Sequence, residues 1–241
     1  MFVSFSVGNT GPFKEVTGIT TVCESLKKEF LGKNTFEVGG HNYNKISYIY
    51  GANGSGKTNF LSALTKMQKM IIMSTVLGAN NNKLLEVPAI KKELASPIET
   101  FKFDVDCKSR ETFFEIQVLL EGILYSYSFA VQDGKIQREL LTKKNKRTEI
   151  LIKRTSPKYE DILLRSGLAS FKGMVTVVRD DALCLAMAAM LNNPLANKIL
   201  NEIMNYRVIN MAYVGSAQQF EEDNTDEKAR KRYVQDLKMT D

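Results

Sequence analysis

The eight residues Gly51-Ala52-Asn53-Gly54-Ser55-Gly56-Lys57-Thr58 satisfy the pattern G-x-x-x-x-G-K-[ST], and they constrain the fold more than any other stretch of the chain. A loop of this kind leaves a β-strand and enters a helix. Lys45-Ile46-Ser47-Tyr48-Ile49-Tyr50 reads as that strand. Downstream, Phe60, Leu64, Met67 and Ile71 fall on one face of a helix that starts near Lys57 and ends before Gly78-Ala79-Asn80-Asn81-Asn82. Met67, Met70 and Met73 repeat every third residue along it, a spacing that fits core packing.

Each residue type in the loop has a physical reason. A nucleoside triphosphate brings about four negative charges, and backbone N-H groups at a helix start hold them with little reorganisation. Gly51 ends the strand in a sharp turn; Gly54 and Gly56 carry no Cβ to block the phosphates or forbid positive φ. The amides from Asn53 to Thr58, through Ser55, can then converge on the anion. Lys57 is expected to reach the β- and γ-phosphates, and the Thr58 hydroxyl suits Mg²⁺, which takes oxygen ligands. Asn59 completes the candidate set, and a bound nucleoside triphosphate with Mg²⁺ is the expected ligand.

The rest of the chain bounds what else is possible. With 241 residues, 44% hydrophobic and 25% charged, it can build a sizeable core. No apolar run reaches the roughly 20 residues that cross a bilayer, and Met1-Phe2-Val3-Ser4-Phe5 lacks a basic and then apolar leader, so no membrane partner and a cytoplasmic location are expected. Cys23, Cys107 and Cys184 lie far apart and read as packing residues. His41, the one histidine, has no acidic or cysteine partner nearby and reads as a loop residue. The net charge is +6; Lys143, Lys144, Lys146 and Arg147 cluster in an apparent hairpin tip, and Lys228, Arg230, Lys231 and Arg232 are diluted by nearby acids. Both clusters read as solvated surface first and as nucleic-acid contacts second.

Periodicity gives the outline of the fold. Phe2 to Val7 and Val16 to Val22 predict two strands around a turn at Gly8-Asn9-Thr10-Gly11-Pro12. Period-two patterns at Phe101, Phe103, Val105, at Phe114, Ile116, Val118, Leu120, and at Tyr125, Tyr127, Phe129 predict an antiparallel meander, with a further run from Ile136. A loosely helical stretch follows Arg154. Ala182 to Leu191 predicts a helix apolar on most sides, Asn192-Asn193-Pro194 a break, Leu195 to about Asn205 a second helix, and Arg207 to Val214 a strand. The last twenty residues read as a surface helix or loose tail.

The order of these features resembles the ABC-like ATPases related to the heads of SMC and RecF proteins, and more closely the bacterial phage-defence and abortive-infection ATPases, including the ATPase subunit of PARIS-type systems. The resemblance rests on Phe5-Ser6-Val7-Gly8-Asn9 with Phe13-Lys14, on Ile49 through Asn59 with Ala63-Leu64, on Phe101-Lys102-Phe103 and Tyr125 to Phe129, and on Arg138-Glu139-Leu140 and Ile152-Lys153-Arg154. It implies an α/β P-loop NTPase fold: an ABC-ATPase-like N-terminal lobe with an antiparallel β-meander and a helical segment. It also implies ATP rather than GTP, a homo-oligomer whose heads sandwich the nucleotide, and control of an effector protein such as a nuclease. Phe13 and Lys14 either flank the base, as that region does in such heads, or pack.

The resemblance divides the chain into a nucleotide-binding lobe at 1–155 and a helical segment with charged tail at 156–241, continuing into a later lobe. That lobe would carry the family's signature motif, Asp-Glu pair and switch histidine, none of which occurs here; Tyr213 to Gln219 echoes the signature without a following apolar strand. The nearest acidic strand is Met174-Val175-Thr176-Val177-Val178-Arg179-Asp180-Asp181, interrupted by Thr176 and Arg179; Glu121 after Ile116 to Leu120 reads as opening a turn. Hydrolysis is therefore expected only in a longer or dimeric protein. A DNA-binding or scaffold module with a nucleotide loop of little catalytic role is the alternative. A guanine-reading N-K-x-D segment is absent, because Asn145-Lys146-Arg147-Thr148 lacks the acid.

Overall fold

The computed structural model describes residues 1–23, 32–76 and 99–209. The architecture is mixed α/β: one large antiparallel sheet with a helical layer on one face. Strands β1 (Phe2–Gly8), β2 (Thr17–Thr20), β5 (Thr112–Leu120), β6 (Ile123–Gln132), β7 (Lys135–Lys144), β8 (Thr148–Arg154) and β9 (Ile162–Leu164) form this sheet in the order β2-β1-β5-β6-β7-β8-β9. A separate hairpin joins β3 (Thr35–Val38) to β4 (His41–Asn44). The helices are α1 (Lys57–Val76), α2 (Cys184–Met190) and α3 (Pro194–Met204). Met1–Arg207 clusters as one unit and Val208–Asp241 as a second, of which only residues 208 and 209 are described. The tail, the stop signal at Gly78 to Asn82 and most of the strand expected at Arg207 to Val214 lie outside the described residues.

Alternation decides the register. In β5 and β6 the pairs Phe114↔Phe129, Ile116↔Tyr127 and Val118↔Tyr125 put their side chains on one buried face, and Phe5 and Val7 of β1 add to it opposite Ile116 and Phe114. A one-residue slip would turn all of these into water, so the hydrophobic pattern fixes the pairing. The opposite face carries Ser4, Ser6, Glu115, Gln117, Ser126 and Ser128 and stays polar. Onto the apolar face α1 lays Phe60, Ala63, Met67 and Ile71, all buried, with Leu64 and Met70 half-buried beside them. The helix α2 is buried from Cys184 to Ala188, as an all-round apolar sequence requires. Pro194 at the first turn of α3 and the Asn193 side chain, which accepts from the Ala196 amide at 3.0 Å, start the last helix.

A buried polar knot joins the sheet to α2. A register shift in the β6–β7 pairing between Ala130 and Val131 lets both Ile136 and Glu139 face inward. Glu139 accepts from the Tyr127 hydroxyl at 2.9 Å and from the Cys184 and Leu185 amides at 2.7 and 2.9 Å, so its carboxylate caps the start of α2. Its β8 neighbour Arg154 donates to the carbonyls of Ser156, Ala182 and Arg179 at 2.9, 2.7 and 3.1 Å and also to that of Pro157. Burial pushes the Glu139 carboxyl above its ordinary range, opposed by the two amides and the Arg154 charge. These two residues, part of the resemblance above, act here as internal fasteners.

Four expectations fail. Residues 45–50 form no strand: the Lys45 amide donates to the Asn34 carbonyl, and the segment then runs unpaired among the described residues. Apolar side chains on both faces suit a strand enclosed by parallel neighbours. Without such neighbours, Ile46, Tyr48 and Tyr50 are 68%, 72% and 85% exposed, with the two tyrosine rings stacked 6.1 Å apart. Phe101, Phe103 and Val105 are likewise not a strand, since Asp104 caps a 3₁₀ turn over Val105–Ser109 by accepting from the Asp106 amide. Met174 to Val177 lies in a 3₁₀ helix, Ala169–Val177, and β9 falls in the stretch read as loosely helical.

Candidate functional site

The loop at 51–58 meets α1 as its pattern demands. Gly54 and Gly56 have φ of +82° and +93°, a backbone region that side-chain-bearing residues rarely adopt. Gly51 to Ser55 are exposed, Gly56 is buried, and Thr58 and Asn59 are exposed at the first turn of α1, which contains no acidic residue. The partial positive charge of a 20-residue helix therefore faces outward at this end without a competing carboxylate. Ser55 donates its amide to the Ala52 carbonyl at 3.2 Å, closing the turn around Asn53 and Gly54, and the Phe60 amide bonds the Gly56 carbonyl at 2.9 Å. Lys57 folds its ammonium back onto the loop, donating to the carbonyls of Gly51 at 2.7 Å and Ala52 at 2.8 Å. The loop thus gathers exposed backbone, a cation bonded to the loop's own carbonyls and an exposed Thr58 whose hydroxyl has no hydrogen bond among the described residues, a set that fits a triphosphate with Mg²⁺.

The turn after β1 holds this loop in place. A Cβ at Gly56 would come within 2.8 Å of Pro12 Cγ and 3.2 Å of Phe13 Cζ, so the side chains of the turn lie directly against the loop backbone. Phe13 in turn packs edge-on against Phe60 at 6.0 Å. The turn is stitched to residues 99–112. Asn9, buried with φ of +50°, donates to the Cys107 and Arg110 carbonyls at 2.9 and 3.0 Å and accepts from the Phe101 amide at 3.2 Å. Thr10 Oγ1 and the Gly11 amide both donate to the Glu99 carbonyl, at 2.9 and 3.1 Å. Lys14 pairs with Asp104 at 2.7 Å; the hydrogen bond from Lys14 holds the Asp104 carboxyl below its ordinary range.

Beside the loop this framework borders an open-sided cavity of about 230 Å³. Thr10, Gly11 and Pro12 form one wall, Asn59, Ala63 and Lys66 of α1 a second, and Glu99, Lys102 and Phe103 the third. The sequence contained a sign of the second wall, because Asn59, Ala63 and Lys66 are spaced i, i+4, i+7 on one helix face. The third wall was masked by a strand-like alternation. Phe13 and Lys14, the residues considered for contact with a base, are engaged in packing and in an ion pair.

The structure brings Gly51, Asn53, Gly54, Ser55, Gly56, Lys57, Thr58 and Asn59 into one loop and helix start; among the described residues no carboxylate bonds to them, and Glu99 lines the cavity that Asn59 also borders. Asp180 pairs with Lys135 at 3.0 Å and Asp181 with Arg179 at 2.8 Å, while Glu121 opens the β5–β6 turn and pairs with Lys198. Among the described residues no cluster of histidine, cysteine and acidic side chains is suited to a metal ion, and no helix is long and apolar enough to cross a membrane. His41 is exposed at the start of β4; Cys107 and Cys184 are buried. Residues 46–172, more than half of the chain, match the family described as "AAA domain, putative AbiEii toxin, Type IV TA system". No curated protein and no solved structure matches the chain.

Proposed function

The chain belongs to this AAA domain family and carries a P-loop ATPase-type domain, and from that premise we propose that it binds ATP with Mg²⁺ at residues 51–59 and serves as an ABC-like head whose nucleotide state controls a partner protein. One observation carries the reading: the complete glycine loop, with its two left-handed glycines and the Lys57 ammonium above it, at the acid-free start of α1. Lys57 leaves the Gly51 and Ala52 carbonyls for the β- and γ-phosphates, and Thr58 supplies one oxygen ligand to Mg²⁺. The bound metal neutralises phosphate charge. The apolar run at 46–50, exposed and unpaired among the described residues, supports a head that is completed by packing against further polypeptide. The role proposed from the resemblance is control of an effector such as a nuclease in phage defence or DNA maintenance; the family's description names a "putative AbiEii toxin, Type IV TA system".

Two measurements test this. At an ATP concentration about 100 times the dissociation constant, Mg-ATP raises stability by about 2.7 kcal/mol, an increase in Tm of about 5–10 °C. Light scattering with Mg-ATP shows a larger oligomer than without it. An unchanged Tm at millimolar Mg-ATP removes the binding assignment, and a constant mass removes the head-to-head one.

A second reading rests on the β7–β8 tip. Lys143, Lys144, Lys146 and Arg147 form no ion pair among the described residues, and the tip lies at the end of the sheet away from the loop, about 30 Å along the ten-residue β7. Such a tip suits a phosphate backbone. Duplex binding that weakens with salt, ignores ATP and drops when Lys143, Lys144 and Arg147 become alanine would favour a DNA-binding module instead.

A further inference from the structure

We propose that the cavity bounded by Thr10–Pro12, the Asn59–Lys66 face of α1 and Glu99–Phe103 receives the base and ribose of the nucleotide, with Phe103 as the surface on which the base stacks. This rests on the phosphate-loop reading above and adds to it the part of the ligand that the loop leaves unbound. Asn59 belongs to both sites: it stands next to Thr58 in the loop and lines the cavity. From there the α1 wall extends through Ala63 to Lys66, about 10 Å further along the helix axis at 1.5 Å per residue. A ligand held by its phosphates at the first turn would therefore lead its remaining atoms directly into this space.

The size and lining suit such a fragment. Whole ligand pockets run to about 300–1,000 Å³, so a space of about 230 Å³ takes part of a ligand while the rest lies over an open surface. Its lining combines one aromatic face with a few polar groups. Phe103 is 88% exposed although its ring sits edge-on to Phe101 at 5.6 Å. A phenylalanine so placed gains little from the protein's own core and offers a flat apolar surface, which every base can stack against. Glu99 and Lys102 form an ion pair at 3.1 Å on the same wall, and Lys66 has no ion-pair partner among the described residues. The Glu99 carboxylate can accept from ribose hydroxyls or an exocyclic amine, and Lys66 adds positive charge to the α1 wall.

The Glu99 backbone position is fixed independently of its side chain, because its carbonyl holds Thr10 Oγ1 and the Gly11 amide. Side-chain changes on this wall are therefore separable from the fold of the turn. Phe13, by contrast, is clamped between Gly56 and Phe60, and Lys14 is paired with Asp104. Within the lining of the cavity, Phe103 is thus the aromatic side chain that a base would meet.

The test compares Mg-ATP with Mg-tripolyphosphate, which has the phosphates but no nucleoside, by calorimetric titration into the full chain and its variants. Phe103→Ala weakens ATP binding about tenfold or more and leaves tripolyphosphate affinity unchanged; Phe103→Tyr, which keeps the ring, restores ATP affinity. Glu99→Gln weakens ATP several-fold, again without effect on tripolyphosphate. Lys57→Ala weakens both ligands. Should Phe103→Ala and Glu99→Gln bind ATP as tightly as the unmodified chain, or should that chain bind tripolyphosphate as tightly as ATP, the cavity assignment is overturned and the loop reading stands. Failure of the unmodified chain to bind either ligand overturns both.

Discussion

Alanine at Gly54 and at Gly56 separates two costs that the loop combines at one of these positions. Both glycines are left-handed, at φ of +82° and +93°, so an added Cβ meets its own backbone at either site, at a cost of about 1–2 kcal/mol. At Gly54 nothing else lies within 4 Å of the new atom. At Gly56 it stands 2.8 Å from Pro12 Cγ and 3.2 Å from Phe13 Cζ, inside the separation at which carbon atoms attract. Pro12 is held by the turn and Phe13 by Phe60, so neither withdraws freely, and overpacking adds about 1–3 kcal/mol. For a chain of this size each kcal/mol is about 2–4 °C in Tm. Gly54→Ala is therefore expected to melt about 2–8 °C lower and Gly56→Ala about 4–20 °C lower, in scanning calorimetry without nucleotide. Equal Tm values for the two variants would refute the packing of the turn at Asn9 to Phe13 against the loop.

Other perturbations probe the framework around the site. Glu139→Ala leaves the Tyr127 hydroxyl and the Cys184 and Leu185 amides without their acceptor next to buried Arg154, and should lower the unfolding free energy by about 3–5 kcal/mol in urea titrations; Glu139→Gln, which keeps one acceptor oxygen, should cost less. Asp104 and Asp180 have carboxyls held below their ordinary values by hydrogen bonds from Lys14 and Lys135. A folded value below the unfolded one gives stability that is present above about pH 4 and is lost as pH falls through the folded value. The urea midpoint should accordingly drop below pH 4, and by less in a Lys14→Ala, Lys135→Ala double variant; the same drop in both proteins would contradict this.

The parts of the fold visible in the sequence are those whose causes are local. The glycine loop and α1 follow from residues adjacent in the chain, and the inward set Phe114, Ile116, Val118, Tyr125, Tyr127 and Phe129 follows from strict alternation. Phe101 to Val105 alternate just as well, yet Asn9, more than ninety residues earlier, takes the Phe101 amide, and Asp104 turns the chain. Pattern alone cannot register a partner that distant. Glu139 was hidden for a similar reason: only the shift in the β6–β7 register turns a charged residue inward, where α2 supplies its amides. At 45–50 the apolar pattern is that of a strand, but a strand exists through its neighbours, and the described residues provide none. The phosphate cradle was legible as a motif; the adjoining cavity was not, because its third wall comes from a segment whose irregular path is set by Asn9 and Thr10.

The most direct test of the account is a calorimetric titration of Mg-ATP into the unmodified chain and into Lys57→Ala, with circular dichroism on both. Removing a charge-assisted contact to phosphate costs about 1.5–3 kcal/mol, so affinity should fall about 10- to 150-fold while the spectra superimpose. Equal affinity in the two proteins, with both folded, would contradict the assignment of residues 51–58 as the cradle of a nucleotide.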